Sequence, residues 1–479
     1  MKHFKKVIFL IVASVIIFTS CSVKVGYNPH NYDADNIIKM IGELSSKSFN
    51  GRMAGTPYGI KTEEYVASKF KKAGLKPAGV GGTFYQEFLG VSGNPTPEYI
   101  LEVKDGNNMV KGYKYGKDYS FFTYMSHKGE ATGRGVPVNL SDKNIKGVKN
   151  AIALIKYFKD ADSNTLSMLY KKGYTGVITA SGDPSDRRKG QFGVNDMEVS
   201  SKLPRVCVDL DVFDELMDYS KKGYTIHLKS SFEVKSFKAR NVIGILNSNR
   251  KSDDYLIISA HMDHLGPDPD GVYFPGALDN ASGTSSIIEI ARAVSKQPVK
   301  PDKNIVFIAF SGEEENLFGS QYYVSHPIYP LKNSEVINLD MVGAKSNLPL
   351  SIFRYGSSER ASGNSILNEL KSSADERKIK YSIENNGSSD HMPFGSVGVP
   401  SVTLIDLEKN IYHVPEDTIE NIGRDNLKRD IGLVMDVIGE NAYTQKRYSN
   451  LFIICIIAGI MTIIVIAIRH NRMRIVKIN

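Results

Sequence analysis

Five short runs in the second half of this 479-residue chain are almost uninterrupted apolar sequence: NVIGILN from Asn241, YLIISA from Tyr255, NIVFIAF from Asn304, EVINLD from Glu335 and VPSVTLI from Val399. A strand with apolar side chains on both sides has to be covered on both faces, as strands of a parallel sheet flanked by helices are. Helical stretches such as SSIIEIARAVSK lie between several of the runs. The fold class that follows is α/β, a mostly parallel mixed sheet with helices on both faces. Open sheets of this kind bind ligands beyond the carboxyl ends of their strands, so the residues that follow each run carry the chemistry.

YLIISA runs into His261-Met262-Asp263-His264, and NIVFIAF into Ser311-Gly312-Glu313-Glu314. EVINLD ends in Asp340, and VPSVTLI leads through a short loop to Tyr412-His413. Between the first two of these strands, GALDNASG sets Asp279 just ahead of a helix. Two histidines and several carboxylates at one sheet edge make a metal-site composition. A bridging carboxylate with an imidazole and a carboxylate on each side holds two divalent ions about 3.5–4 Å apart. Mixed imidazole and carboxylate donors suit Zn²⁺, with Co²⁺ or Mn²⁺ as substitutes. Adjacent positions on an extended chain point to opposite sides, so Glu313 and Glu314 cannot serve one ion as equals. A dinuclear hydrolase needs one carboxylate as ligand and another, unligated, as base for the attacking water. His261 and Asp263 fall on one side, where Asp263 would accept the second imidazole N–H and fix the tautomer. The same alternation turns His264 away as a structural residue, and Glu315 is expected in solvent.

These motifs, AHMDHLG, DNASG, GEEENLFGS, NLDMVG, SSDHMPF and YHVPEDT, occur in the order seen in the co-catalytic zinc aminopeptidases, the family that includes aminopeptidase Y. The amino-terminal NGRMAGTPYG and the helices around it resemble the leader of that family, and the central strand-rich stretch resembles the protease-associated domain often inserted there. The resemblance covers roughly Tyr32 to Tyr443 and implies the zinc exopeptidase fold. It implies that Asp279 bridges two zinc ions, with His261 and Asp340 on one and Glu314 and His413 on the other. Glu313 matches the general base and Asp263 the partner of His261. Asn280, Asp390, His391 and Tyr412 take supporting places, and the Asp279–Asn280 bond is a candidate cis peptide. Asn316 stands where the family usually has glycine, and asparagine tolerates a left-handed backbone better than most residues. The implied reaction is removal of N-terminal residues from peptide substrates. Carboxypeptidase or glutaminyl-cyclase activity on the same scaffold, or a non-catalytic binding ectodomain that has kept the fold, are the alternatives. No Gly-x-Ser-x-Gly elbow supports a serine hydrolase.

The remaining segments set the domain plan. Tyr32 to about Phe88 reads as helix, turn, helix, with Tyr65, Val66, Phe70 and Leu75 on one side of the second helix and Gly74 as its stop. Residues 32–105 would then be the first part of the peptidase domain, 106–225 the inserted domain and 226–446 the catalytic domain. NAIALIKY, GYTGVITAS and LPRVCVDL are strands of the insertion, and SGDPSDRRKGQFG is a solvated loop. The formal charge of +8 does not mark a nucleic-acid binder. Seven of the 60 basic residues (Lys2, Lys5, Lys6, Arg469, Arg472, Arg474 and Lys477) flank the terminal apolar runs, leaving 53 against 52 acidic ones. A basic start followed by a short apolar run reads as a secretory signal over residues 1–21, and Phe18-Thr19-Ser20-Cys21 resembles a bacterial lipobox. The apolar run 451–468 reads as a transmembrane helix followed by a basic cytoplasmic tail, 469–479. Both ends predict a cell-membrane location with the body outside the cytoplasm. Cys207 is the only cysteine left in that body, so no disulfide is expected there.

Overall fold

The apolar runs become the centre of a ten-stranded sheet in the computed structural model. Residues 26–443 are described, apart from 96–97, 121–127, 143–144, 157–162, 182–191, 194–202, 268–270, 357–363 and 409. The main strands are β1 (Tyr85–Pro95), β2 (Phe232–Leu246), β3 (Tyr255–His261), β4 (Asn304–Phe310), β5 (Ser334–Leu339), β6 (Leu350–Arg354), β7 (Tyr381–Asn385) and β8 (Ser401–Ile405). Across the sheet they lie in the order β7-β6-β8-β5-β3-β4-β2-β1. β4, β3, β5 and β8 are parallel neighbours. β2 and β6 join this block antiparallel, one on each side.

Period-two alternation sorts the buried side chains to two cores. Leu256, Ile258 and Ala260 of β3 and Ile305, Phe307 and Ala309 of β4 face one. Ile257, Val306, Ile308 and Phe310 face the other. The first core is covered by helices α1 (Ala34–Leu44), α2 (Pro57–Ala73), α3 (Gly283–Ser295), α5 (Ser365–Glu376) and α7 (Arg424–Ala442). Tyr323 of α4 (Phe318–Ser325) and Phe394 of α6 (His391–Ser396) pack on the second. The leader helices start and stop where their residue types allow. The Asp33 side chain accepts from the amides of Asp35 and Asn36, and Thr56 caps α2 with Pro57 in its first turn. Gly74 ends α2 with φ +95°, a left-handed cap that costs glycine least.

A second, eight-stranded sheet occupies residues 100–230. It mixes parallel and antiparallel pairs and carries helices over Ser163–Lys171 and Leu210–Lys221. β1 and β2, paired antiparallel from Tyr85↔Val242 to Pro95↔Phe232, lead into it and back.

Two expectations are corrected. Among the described residues no helix is long and apolar enough to cross a membrane. The 19-residue α7 is interrupted by Arg424, Asp425, Lys428, Arg429 and Asp430, whose charges bar it from hydrocarbon. A transmembrane helix is therefore removed from the fold class, and the cell-membrane location that rested on it goes too. The signal at 1–21, Cys21, the run 451–468, the tail 469–479 and most of the SGDPSDRRKGQFG loop lie outside the described residues.

Ile258 has no solvent exposure at the centre of the parallel block. Ile258→Ala should cost about 2–5 kcal/mol in urea unfolding, whereas Val80→Ala, 61% exposed, should change stability by less than about 0.5 kcal/mol.

Candidate metal centre

The carboxyl ends of β3, β4 and β5 deliver their polar residues to one buried cluster around Asp279. His261 is the last residue of β3, and its Nε2 stands 3.4 Å from Asp279 Oδ1 and 3.3 Å from Asp340 Oδ1. The other oxygen of Asp279, Oδ2, lies 2.9 Å from His413 Nε2, which is itself 3.0 Å from Glu314 Oε2. One carboxylate thus faces two histidine–carboxylate pairs, one on each oxygen.

The spacing fits zinc. Two ligands at about 2.0–2.1 Å from a tetrahedral ion sit about 3.3 Å apart, close to the His261, Asp279 and Asp340 separations. His261, Asp279 and Asp340 form one buried set with atoms close enough for one ion, and His264, Asp279 and Glu314 form another. His261 Nδ1 is buried without a hydrogen-bond partner, 3.9 Å from Asp263 Oδ1. So many carboxylates buried beside so few cationic groups call for divalent charge.

Several elements hold Asp279 in place. Its own amide and that of Leu278 donate to the two oxygens of Asp417, at 2.9 and 2.8 Å. The peptide to Asn280 is cis. The Asn280 side chain then bridges to β5: Nδ2 donates to Leu339 O, and Oδ1 accepts from the amides of Gly283 and Met341. That ties the start of α3 to the strand end that carries Asp340. Asp340 in turn accepts from Ser389 Oγ at 2.7 Å.

The three glutamates after β4 have separate surroundings. Glu313 is half-buried while Glu314 and Glu315 are buried. The amides of Glu313 and Glu314 both donate to Asp263, each at 3.3 Å. Burial pushes the Glu313 carboxyl well above its usual range, and the charges of Glu314, Asp340 and Asp390 add to this against His261. Burial also works against ionised Glu314, but His413 and the His264 hydrogen bond outweigh it and hold that carboxyl below its usual range. Asp279 is held low in the same way, burial being overcome by His261, His413 and His264.

Two residues differ from the sequence-based expectation. Glu315 is 1% exposed, not solvated, and burial with the charges of Asp263 and Glu314 pushes its carboxyl up. The loop after β4 turns back through left-handed Asn316 (φ +85°) and Leu317 (φ +62°), which carries Glu315 inward. His264 does not point away: its Nδ1 lies 2.8 Å from Glu314 Oε1 and 3.8 Å from Asp279 Oδ2. Strict alternation fails because β3 ends at His261, so His264 is no longer on an extended strand. Asn316 does adopt the left-handed conformation that its position calls for.

The supporting residues are placed as follows. The Tyr412 ring stacks on His413, centroids 3.5 Å apart. Asp390 is buried, and burial pushes its carboxyl up to about 7. His391 Nε2 meets Asn386 O at 2.7 Å, and Nδ1 meets Thr403 Oγ1 at 2.8 Å. Asn386 O can only accept, so the hydrogen of the neutral ring sits on Nε2, and Nδ1 accepts from the Thr403 hydroxyl, whose oxygen also accepts from Asn338 Nδ2. Asn338 Nδ2 also donates to Ser389, whose hydroxyl reaches Asp340. Hydrogen bonds through Thr403, Asn338 and Ser389 therefore connect His391 to a carboxylate of the cluster, with Asn338 Nδ2 donating to both sides. Sequence reasoning missed Ser389, Asn338, Asp417 and Arg52. All four lie inside motifs already singled out, SSDHMPF, NLDMVG, YHVPEDT and NGRMAGTPYG, but only contacts distant in sequence reveal what they touch.

Residues 241–438 match peptidase family M28. The chain is 35% identical over 241 residues to aminopeptidase YwaD of Bacillus subtilis (strain 168), covering 47% of this chain and 50% of that one. It thus spans half the length of that curated relative. The solved aminopeptidase from Aneurinibacillus sp. strain AM-1 superposes with a TM-score of 0.65 at 25% identity, over 87% of this chain and 95% of the other. A zinc aminopeptidase structure from Bacillus subtilis has a TM-score of 0.59 at 24% identity, over 88% and 97%, and shares the fold.

Burial lowers His391 from 6.5 to about 4. The unfolded chain therefore takes up this proton first as pH falls, so stability present above pH 6.5 is lost towards pH 4. The loss amounts to on the order of 3 kcal/mol. In chelator-treated protein, His391→Asn should flatten the fall of unfolding free energy between pH 6.5 and 4, measured by urea titration. An unchanged slope would count against the neutral buried ring.

Proposed function

We propose that this chain, whose residues 241–438 match peptidase family M28, is a zinc-dependent aminopeptidase that removes N-terminal residues from peptides. The observation that carries the reading is the two-sided environment of Asp279, with His261 and Asp340 at one oxygen and His413 and Glu314 at the other. In this reading those five residues hold two zinc ions. Bound zinc would polarise the scissile carbonyl and make the attacking water more acidic. His264 bonds Glu314 Oε1 and so leaves Oε2 turned towards His413. Asp263 faces His261 Nδ1 and anchors the amides of Glu313 and Glu314, orienting a ligand and the base from one carboxylate.

Glu313 acts as general base. It is the only one of the three glutamates that is not buried, so it alone can reach a substrate entering from solvent. Placed at the edge of the cluster, its carboxylate can take a proton from water and pass it to the leaving amine. The sheet over residues 100–230 is proposed to be a protease-associated insertion that shapes access to the site. The free N-terminus of a peptide is the recognised end in this reading, in line with the names of the bacterial relatives.

Glu313→Gln should lower kcat by about 10²–10⁴-fold while keeping zinc content, since a positioned base contributes that much. Glu314→Gln should lose zinc. Equal zinc content and equal activity in both variants would remove the assignment. Aminoacyl p-nitroanilides should be cleaved, N-acetylated ones should not, and a chelator should stop cleavage until zinc is returned. Cleavage of the blocked substrates would overturn the aminopeptidase reading.

A further inference from the structure

Arg52 comes from the leader, far in sequence from every residue of the centre, and its side chain is completely buried. A guanidinium has five N–H donors in a fixed fork. Here Nε donates to Met262 O at 3.0 Å, and Nη1 to Leu44 O at 3.0 Å and Pro275 O at 2.7 Å. Nη2 donates to Gly276 O at 2.8 Å and Asp279 O at 3.4 Å. All five acceptors are backbone carbonyls. Met262 lies between His261 and Asp263, and the Asp279 carbonyl belongs to the central carboxylate residue itself. One side chain therefore joins the loop after β3 to the loop that ends in Asp279.

The backbone that presents Arg52 is forced into this place. Asn50, Gly51 and Arg52 are consecutive left-handed residues, with φ of +42°, +73° and +52°. For a side-chain-bearing residue that conformation is unfavourable, because Cβ crowds the following carbonyl oxygen. A Cβ on Gly51 would stand 2.7 Å from Gly266 Cα and 2.9 Å from Phe274 O, so the turn is wedged against the loop that follows His264. Gly266 N donates back to Gly51 O at 3.0 Å. An unfavourable turn, pressed against the ligand loops and ending in a fully engaged guanidinium, is held by what its side chain binds.

We propose that Arg52 is a positioning residue for the metal centre, which locks the two ligand-bearing loops in register before metal arrives and thereby sets zinc affinity. The choice of carbonyl acceptors matters. A cation paired with Asp279 or Glu314 would occupy oxygens that the ions need. Arg52 supplies positive charge near Asp417, Asp279, Asp263 and Glu314 without engaging any of their carboxylate oxygens. Lysine, with three donors on one atom, cannot span the same five carbonyls.

The proposal rests on the ligand assignment above. Arg52→Met and Arg52→Lys, checked for folding by circular dichroism, are titrated with zinc against a competing chelator. Both should bind zinc about 10–100-fold more weakly, as loss of a group that orients metal ligands does. Both should also shift the visible spectrum of the Co²⁺-loaded protein. Wild-type zinc affinity and an unchanged Co²⁺ spectrum in either folded variant would overturn the proposal. If neither variant folds, hydrogen exchange in the wild-type chain decides. The amides of Leu278 and Asp279, which donate to Asp417, should stay protected after zinc is removed, because Arg52 holds the loop carbonyls in place without metal; exchange at exposed-loop rates would overturn it. Retention of zinc by Glu314→Gln would instead sink the ligand assignment, with protection at Leu278 and Asp279 unaffected.

Discussion

The centre depends on one requirement, that a single carboxylate present its two oxygens to two histidine–carboxylate pairs at once. A free aspartate side chain rotates about two bonds, so the requirement is met only if the residue is held on several sides. Asp417 grips the amides of Leu278 and Asp279, Asn280 reaches the end of β5, and Arg52 holds the Asp279 carbonyl. These groups come from the leader, from the segment before α3 and from the loop before α7. The sheet brings the strand ends together, and the surrounding hydrogen bonds set the orientation.

Burial then assigns different work to chemically identical groups. Water is excluded from most of the cluster, so each carboxyl answers to its immediate neighbours. Asp279 and Glu314 lie against histidines and are held ionised. Glu315 lacks such a neighbour and Glu313 has only the charge of His261, so burial pushes both towards the neutral form. Asp417 is pushed up to about 7, burial outweighing its two backbone donors and Arg52. A run of three glutamates is thus divided by position into a half-buried acid–base candidate, a ligand candidate and a buried residue behind both.

Much of the fold was legible because burial on both faces leaves an unmistakable pattern. Each of the five apolar runs is a strand, and β4 is buried along its whole length. The strand-end rule then selected His261, Asp279, Glu313, Glu314, Asp340 and His413 before any contact was known. It failed where extended geometry was carried past the strand. His264 was sent to the wrong side because β3 stops at His261, and Glu315 was put in solvent because the inward turn through Asn316 and Leu317 is not a periodic signal. The terminal apolar runs were read by length and hydropathy alone, and the described helices contain no membrane span.

Alone, the sequence determined which residues stand at strand ends, because residue type, period and chain order suffice for that. It also determined which of them have metal-binding chemistry. Only the tertiary structure decided how those residues share the work. Whether a carboxylate is a ligand, a base or a buried support depends on distances of a few ångströms to groups remote in the chain. Arg52 is the extreme case: an arginine in a polar turn reads as a solvated charge, and only folding shows five carbonyls closed around it.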